Sequence, residues 1–136
     1  MWPDFLHHLS LHFTIVVPMA LAVVGAISLR HPSPGWTGLL RWGGHIALLM
    51  ATITVATGLL AGGFSGGEEA LQHHRYLGVL TFLVIALAAL SFEGGLRRQS
   101  TDLQQFAIGL WWVASFSVIG AGHWGGVSVH PDVIPF

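Results

Sequence analysis

The chain has 136 residues, 53% of them apolar and only 8% charged, with no cysteine. A soluble domain is about a quarter charged, so this composition fits neither a disordered chain nor an ordinary soluble domain. Lack of cysteine excludes disulfide-stapled modules, thiolate enzymes and cysteine-ligated clusters. Five arginines at a net charge of −1 cannot form the basic stripe that nucleic acid demands, so no nucleic-acid partner is expected. What remains is a membrane protein with nine histidines.

Six acids and five arginines bracket four uncharged runs, 5–29, 42–67, 76–92 and 103–131. Each has the length of a spanning helix, about 20 residues with a range of roughly 17–25. None shows the polar/apolar alternation of a barrel strand. The runs predict an all-α, four-helix transmembrane bundle, up-down-up-down, as a single domain over 1–136. The first helix is expected near 9–29, with His7 and His8 before it and His12 just inside its outer end. Pro18 removes a bond to the Thr14 carbonyl, and a kink there would splay the helix near His12. The only charge ahead of this run is Asp4, whereas a secretory signal begins positive, so the helix is expected to be retained.

Arg30-His31-Pro32-Ser33-Pro34-Gly35 is a turn-rich break, and a second helix follows near 43–63 with His45 as an interfacial anchor. Gly62-Gly63-Phe64-Ser65-Gly66-Gly67 is the next break. The third helix, near 75–93, starts beside His73 and His74. Glu68 and Glu69 precede them and read first as solvated loop charges, although the Glu69–His73 spacing would also suit a carboxylate accepting a ring N–H if the helix starts early. After Arg97-Arg98-Gln99-Ser100 the fourth helix, near 105–123, ends in Gly120-Ala121-Gly122-His123-Trp124-Gly125-Gly126.

Arg30 and Arg41 flank the first connection and Arg97 and Arg98 the third, so four of the five cations share one side. Short arginine-bearing loops stay cytoplasmic. Both termini are therefore expected on the periplasmic side of a bacterial inner membrane, crossed in multiple passes and covered by membrane lipid. Trp2 and Trp124 on that side, with Trp36 and Trp42 on the other, suit interfacial belts. Seven of the nine histidines then fall in one outer layer, leaving only His31 and His45 on the other side. Histidine suits an interface, and His7, His8, His31 and His130 read first in that way. His12, His74 and His123 approach one depth from three helices, and ionisable groups in or beside spanning segments are functional candidates.

Two imidazoles from different helices at equal depth suit the axial positions of haem b. His12 and His74 are the favoured pair of iron ligands, because helices 1 and 3 lie diagonally in such a bundle. His123 is the substitute, and His7 and His130 are further cofactor-binding candidates. Gly122 and Gly125 would make room for the porphyrin. A bis-histidine iron has no open position, so the chain reads as a non-enzymatic electron-transfer subunit near the periplasmic face. Its expected partners are a periplasmic c-type cytochrome or redox enzyme, with quinone as membrane donor. Two other classes stay open. A histidine-rich metal site for zinc or copper would use the same imidazoles, although no H-E-x-x-H motif appears. A cofactor-free anchor subunit of a larger complex would present an outward stripe, for which Gly58, Gly62, Gly109 and Trp111 are candidates.

His7 is followed, after four residues, by His12-Phe13-Thr14-Ile15. The third helix opens with His74-Arg75-Tyr76-Leu77-Gly78, and the fourth ends with Gly122-His123-Trp124-Gly125-Gly126, then His130. In these stretches the chain resembles a bacterial family of four-helix integral membrane domains of unknown function, often fused to planctomycete-type cytochrome c modules. The resemblance covers nearly the whole chain; Thr14 stands where the family usually has proline, and His8 is extra. It implies a cytochrome b-like, haem-binding or redox-partnered membrane module. With no Cys-x-x-Cys-His in this chain, any c-type haem would belong to a partner.

Overall fold

The computed structural model describes residues 2–62 and 69–129, which form four helices and, among the described residues, no strand. They are α1 (Trp2–Arg30), α2 (Pro34–Gly62), α3 (Glu69–Arg98) and α4 (Thr101–Val129). All four are long and apolar enough to cross a membrane. At about 1.5 Å per residue such helices reach roughly 44 Å, against a hydrocarbon core of about 30 Å. They are therefore longer than the spans expected near 9–29, 43–63, 75–93 and 105–123, because the end of the hydrocarbon is not where a helix must stop. α2 starts at Pro34, a residue suited to a first helical turn, and so takes in Arg41 and Trp42. Only 22% to 39% of each spanning window is buried. Outward side chains such as Val16, Val23, Leu83, Leu90 and Phe116 need lipid to cover them.

Two short turns set the bundle. Ser33 Oγ accepts the Trp36 N–H at 3.3 Å and caps α2. Between α3 and α4 only Gln99 and Ser100 intervene, with Gln99 in the left-handed region at φ 54°. There the Ser100 N–H donates to the Gly95 carbonyl at 2.9 Å and the Gln99 N–H to that of Leu96 at 3.3 Å, closing α3. This tight reversal brings α4 onto Gly95, where a Cβ would lie 3.0 Å from Gln104 N and 3.1 Å from the Ser100 oxygen.

α1 packs chiefly on α2 and α3 on α4, while α1–α4 and α2–α3 contacts close the ring, so α1 and α3 stand diagonally. The half of the bundle nearest the short turns is an apolar core of Leu21, Leu40, Ile85, Phe92 and Trp111 set among alanines. Small residues let helices approach where lipid gives no hydrophobic drive to pair them. Trp111 is fully buried, so it cannot belong to the outward stripe expected of an anchor subunit. At the same end Glu93 accepts Arg41 through two bonds of 2.9 and 3.0 Å, and Arg97 at 3.1 Å. This clamp joins α2 to α3.

Gly94→Ala and Gly95→Ala should part sharply. A Cβ at Gly94 meets open space, so that variant should be neutral or slightly stabilised, whereas overpacking at Gly95 should cost about 1–3 kcal/mol. Unfolding of both in detergent, followed by helicity, checks this; equal effects would contradict the close approach.

Candidate functional site: a two-histidine cavity

The interior face of α1 runs through Ser10, Thr14, Pro18, Leu21, Ala22 and Gly25, all buried. One step of three residues toward the N-terminus extends this stripe to His7. In α3 the buried stripe Thr81, Ile85, Ala88, Phe92 and Gly95 extends seven residues back to His74. Both histidines thus sit on inward faces by ordinary helical spacing.

Below them lies a layer of hydroxyls. Most have an acceptor carbonyl on their own helix, as Ser10 has Leu6 at 2.7 Å and Thr81 has Leu77 at 2.7 Å, which satisfies them without water. They also bridge helices. Thr54 Oγ1 lies 2.8 Å from Ser10 Oγ and 2.9 Å from Thr14 Oγ1, joining α2 to α1. Thr81 Oγ1 and Ser117 Oγ, 2.8 Å apart, join α3 to α4.

Against this layer the four helices line a half-open cavity of about 550 Å³, within the range of roughly 300–1,000 Å³ typical of small-molecule and cofactor sites. His7 and His74 line it from diagonal helices. His7 Nδ1 lies 2.9 Å from the Thr54 carbonyl of α2, and His74 Nδ1 lies 2.7 Å from the Ala121 carbonyl of α4. A carbonyl only accepts, so each Nδ1 must carry the proton, and the lone pair of the neutral ring is on Nε2. The ring centroids are 6.3 Å apart and the planes cross at 82°. Both seats depend on glycine. A Cβ on Gly58 would lie 2.8 Å from His7 Cε1, and one on Gly125 would lie 2.8 Å from His74 Nδ1. Only a missing side chain permits such an approach.

Of the residues singled out in the sequence, His7, His74, Gly122 and Gly125 line the cavity. His12 and His123 do not; both are exposed. At about 100° per residue, His12 is roughly 200° round α1 from Ser10 and from Thr14, so it faces away while His7 faces in. The pair His12 and His74 is therefore not brought together, and the pair that meets is His7 and His74. His123 stands likewise two residues from Ala121 and from Gly125, and turns outward to meet Trp124 edge-on at 5.7 Å. His130 and Glu68 lie outside the described residues.

The other histidines have local partners. His73 stacks on Trp124 at 4.7 Å, and its Nδ1 lies 2.9 Å from the Glu69 backbone carbonyl. His45 Nδ1 lies 2.7 Å from the Arg41 carbonyl, at an exposed position. His8, read first as an interfacial residue, lines the cavity together with Arg75. Among the described residues no group of three or more His, Asp or Glu gathers to hold a bare metal ion.

Because Gly58 seats the His7 ring, Gly58→Ala should destabilise the chain by about 1–3 kcal/mol, and His7→Ala in the same chain should relieve part of that loss. A double-mutant cycle should give a coupling of about 0.5–3 kcal/mol for Gly58 with His7 and near zero for Gly58 with His12. Equal couplings would contradict the placement. No protein-family model, curated protein or solved structure matches this chain.

Proposed function

We propose that the chain is a cytochrome b-like electron-transfer subunit in which His7 and His74 hold the iron of a b-type haem. One observation carries this reading: two diagonal imidazoles with backbone-held Nδ1 protons line one cavity, their centroids 6.3 Å apart. With a metal–imidazole bond of about 2 Å and a ring centre about 1.1 Å behind the nitrogen, a metal shared by two opposed rings needs a separation of about 6 Å. The walls suit a flat macrocycle as well. α2 and α4 flank the line between the rings, and they line the cavity with Ala51, Gly58, Ala61, Ala121, Gly122 and Gly126.

The bound haem would supply a one-electron redox centre; the chain's own residues do the rest. Hydrogen bonds from Nδ1 to the Thr54 and Ala121 carbonyls set the tautomer and ring orientation. Two histidine ligands leave no open position for oxygen or substrate, which favours an electron carrier over an enzyme. A bare zinc or copper site is less well supported, since zinc takes four ligands in structural sites and three protein ligands in catalytic ones.

We place the bundle up-down-up-down in a bacterial inner membrane with both termini periplasmic. Thr14 meets Thr54 while Gly43 lies against Leu21, which supports opposite courses for α1 and α2. Arg30, Arg41, Arg97 and Arg98 gather at the end with the short turns, the cytoplasmic end by the loop rule. The cavity then opens toward the periplasm, where a c-type cytochrome or redox enzyme would exchange electrons, with quinone as membrane donor. The resemblance to cytochrome-fused four-helix domains agrees with this reading.

Protein purified from cells supplied with haem should show a Soret band, and His7→Ala or His74→Ala should abolish it while His12→Ala and His123→Ala keep it. Crossed imidazole planes should give the ferric protein a strongly anisotropic low-spin EPR signal with one low-field feature. Folded but colourless wild-type protein would overturn the proposal.

A further inference from the structure

Each histidine of the proposed pair is followed in the chain by a second basic residue that also lines the cavity: His8 after His7, and Arg75 after His74. The His7 and His8 rings meet edge-on at 5.8 Å. Arg75 is the one arginine in the wall, the chain contains no lysine, and no acid among the described residues lines it. Deeper in, the wall is apolar, small or hydroxylic, Phe82 included, with every hydroxyl of the Ser10, Thr14 and Thr54 layer already hydrogen-bonded. The cavity is thus apolar at its floor and cationic beside its two histidines. The planar fork of a guanidinium matches a carboxylate through two parallel bonds.

From this juxtaposition we infer that Arg75, with His8 on the facing wall, forms a carboxylate subsite that binds the propionates of the haem. The inference rests on the haem reading above and deepens it, because it sets which edge of the ligand is held. The apolar edge of the porphyrin goes toward Thr14, Thr54 and Thr81, and the acidic edge toward Arg75 and His8. His74 and Arg75, one residue apart on α3, hold the metal and the acid group from one stretch of helix.

The test uses the full chain in detergent, expressed without added haem and titrated with two probes, iron protoporphyrin IX and its dimethyl ester. The readout is the ratio of their affinities, in which partition into the micelle cancels between variants. Arg75→Gln should lower the preference for the diacid about tenfold, the scale of one charge-assisted bond, and leave diester affinity unchanged. Arg75→Lys should recover part of the preference. An unchanged ratio in Arg75→Gln, with wild type still binding both probes through a Soret shift, would overturn the carboxylate subsite and leave the haem reading standing. Wild type that binds neither porphyrin would overturn both.

Discussion

A half-buried imidazole N–H needs an acceptor within the fold, and in this bundle two of them rest on backbone carbonyls of neighbouring helices. His7 reaches across from α1 to Thr54 of α2, and His74 from α3 to Ala121 of α4. Much else follows from those two bonds. They fix Nδ1 as the protonated nitrogen and stop each ring from rotating. They require the helices to come close, so glycine stands at Gly58 and Gly125, where a methyl group would strike the rings. They also join the same helix pairs, α1 with α2 and α3 with α4, that pack most extensively. A bond to a carbonyl is worth more where nothing else can satisfy the group, since an unpaired buried donor costs about 1–3 kcal/mol.

The bundle divides into two unlike halves. Near the short turns, alanines and large apolar side chains fill the interior, and Trp111 is its largest fully buried member. Its indole N–H finds no acceptor among the described residues. That cost, about 1–3 kcal/mol, is smaller than the roughly 3–5 kcal/mol that truncating a buried tryptophan removes, so volume outweighs polarity there. Two helical turns along α4, at Val118, the cavity begins. A hydroxyl layer separates the dry half from the cavity and anchors the helices that carry the imidazoles.

The two levels of this architecture were not equally legible in the sequence. Charge placement revealed four spans because a charged side chain in hydrocarbon is costly, so arginine and acid collect outside it. The helix limits were less visible, since Arg41 and Trp42 are compatible with helix in the headgroup layer. Choice of histidine required a different signal. In a soluble protein an apolar stripe marks the inner face, but lipid is as apolar as the core, and Val16 or Phe116 faces outward as readily as Ile85 faces in. The inward faces are marked instead by small and hydroxylic residues. Ser10, Thr14, Thr54 and Thr81 are the useful signposts, and projecting three residues from Ser10 selects His7 while rejecting His12. Depth alone, which drew attention to His12 and His123, has no angular content. The seats at Gly58 and Gly125 could not be read from the chain, because they record contacts between helices far apart in sequence.

The position of the cavity also bears on what a redox centre within it can serve. Conduction across a membrane requires centres at both depths, and among the described residues the half near the turns offers none: its interior is alanine, leucine, isoleucine, phenylalanine and tryptophan, and His45 there is exposed. A single centre bound by His7 and His74 would exchange electrons at the histidine end alone. Both rings must be neutral to ligate through Nε2 while donating through Nδ1, so they add no charge of their own. Arg75 is then the fixed cation of the cavity wall, and it would stabilise the more negative, reduced state of whatever is bound beside it. Moving that charge would alter the potential without disturbing either ligand, which separates the role of Arg75 from that of the histidines it accompanies.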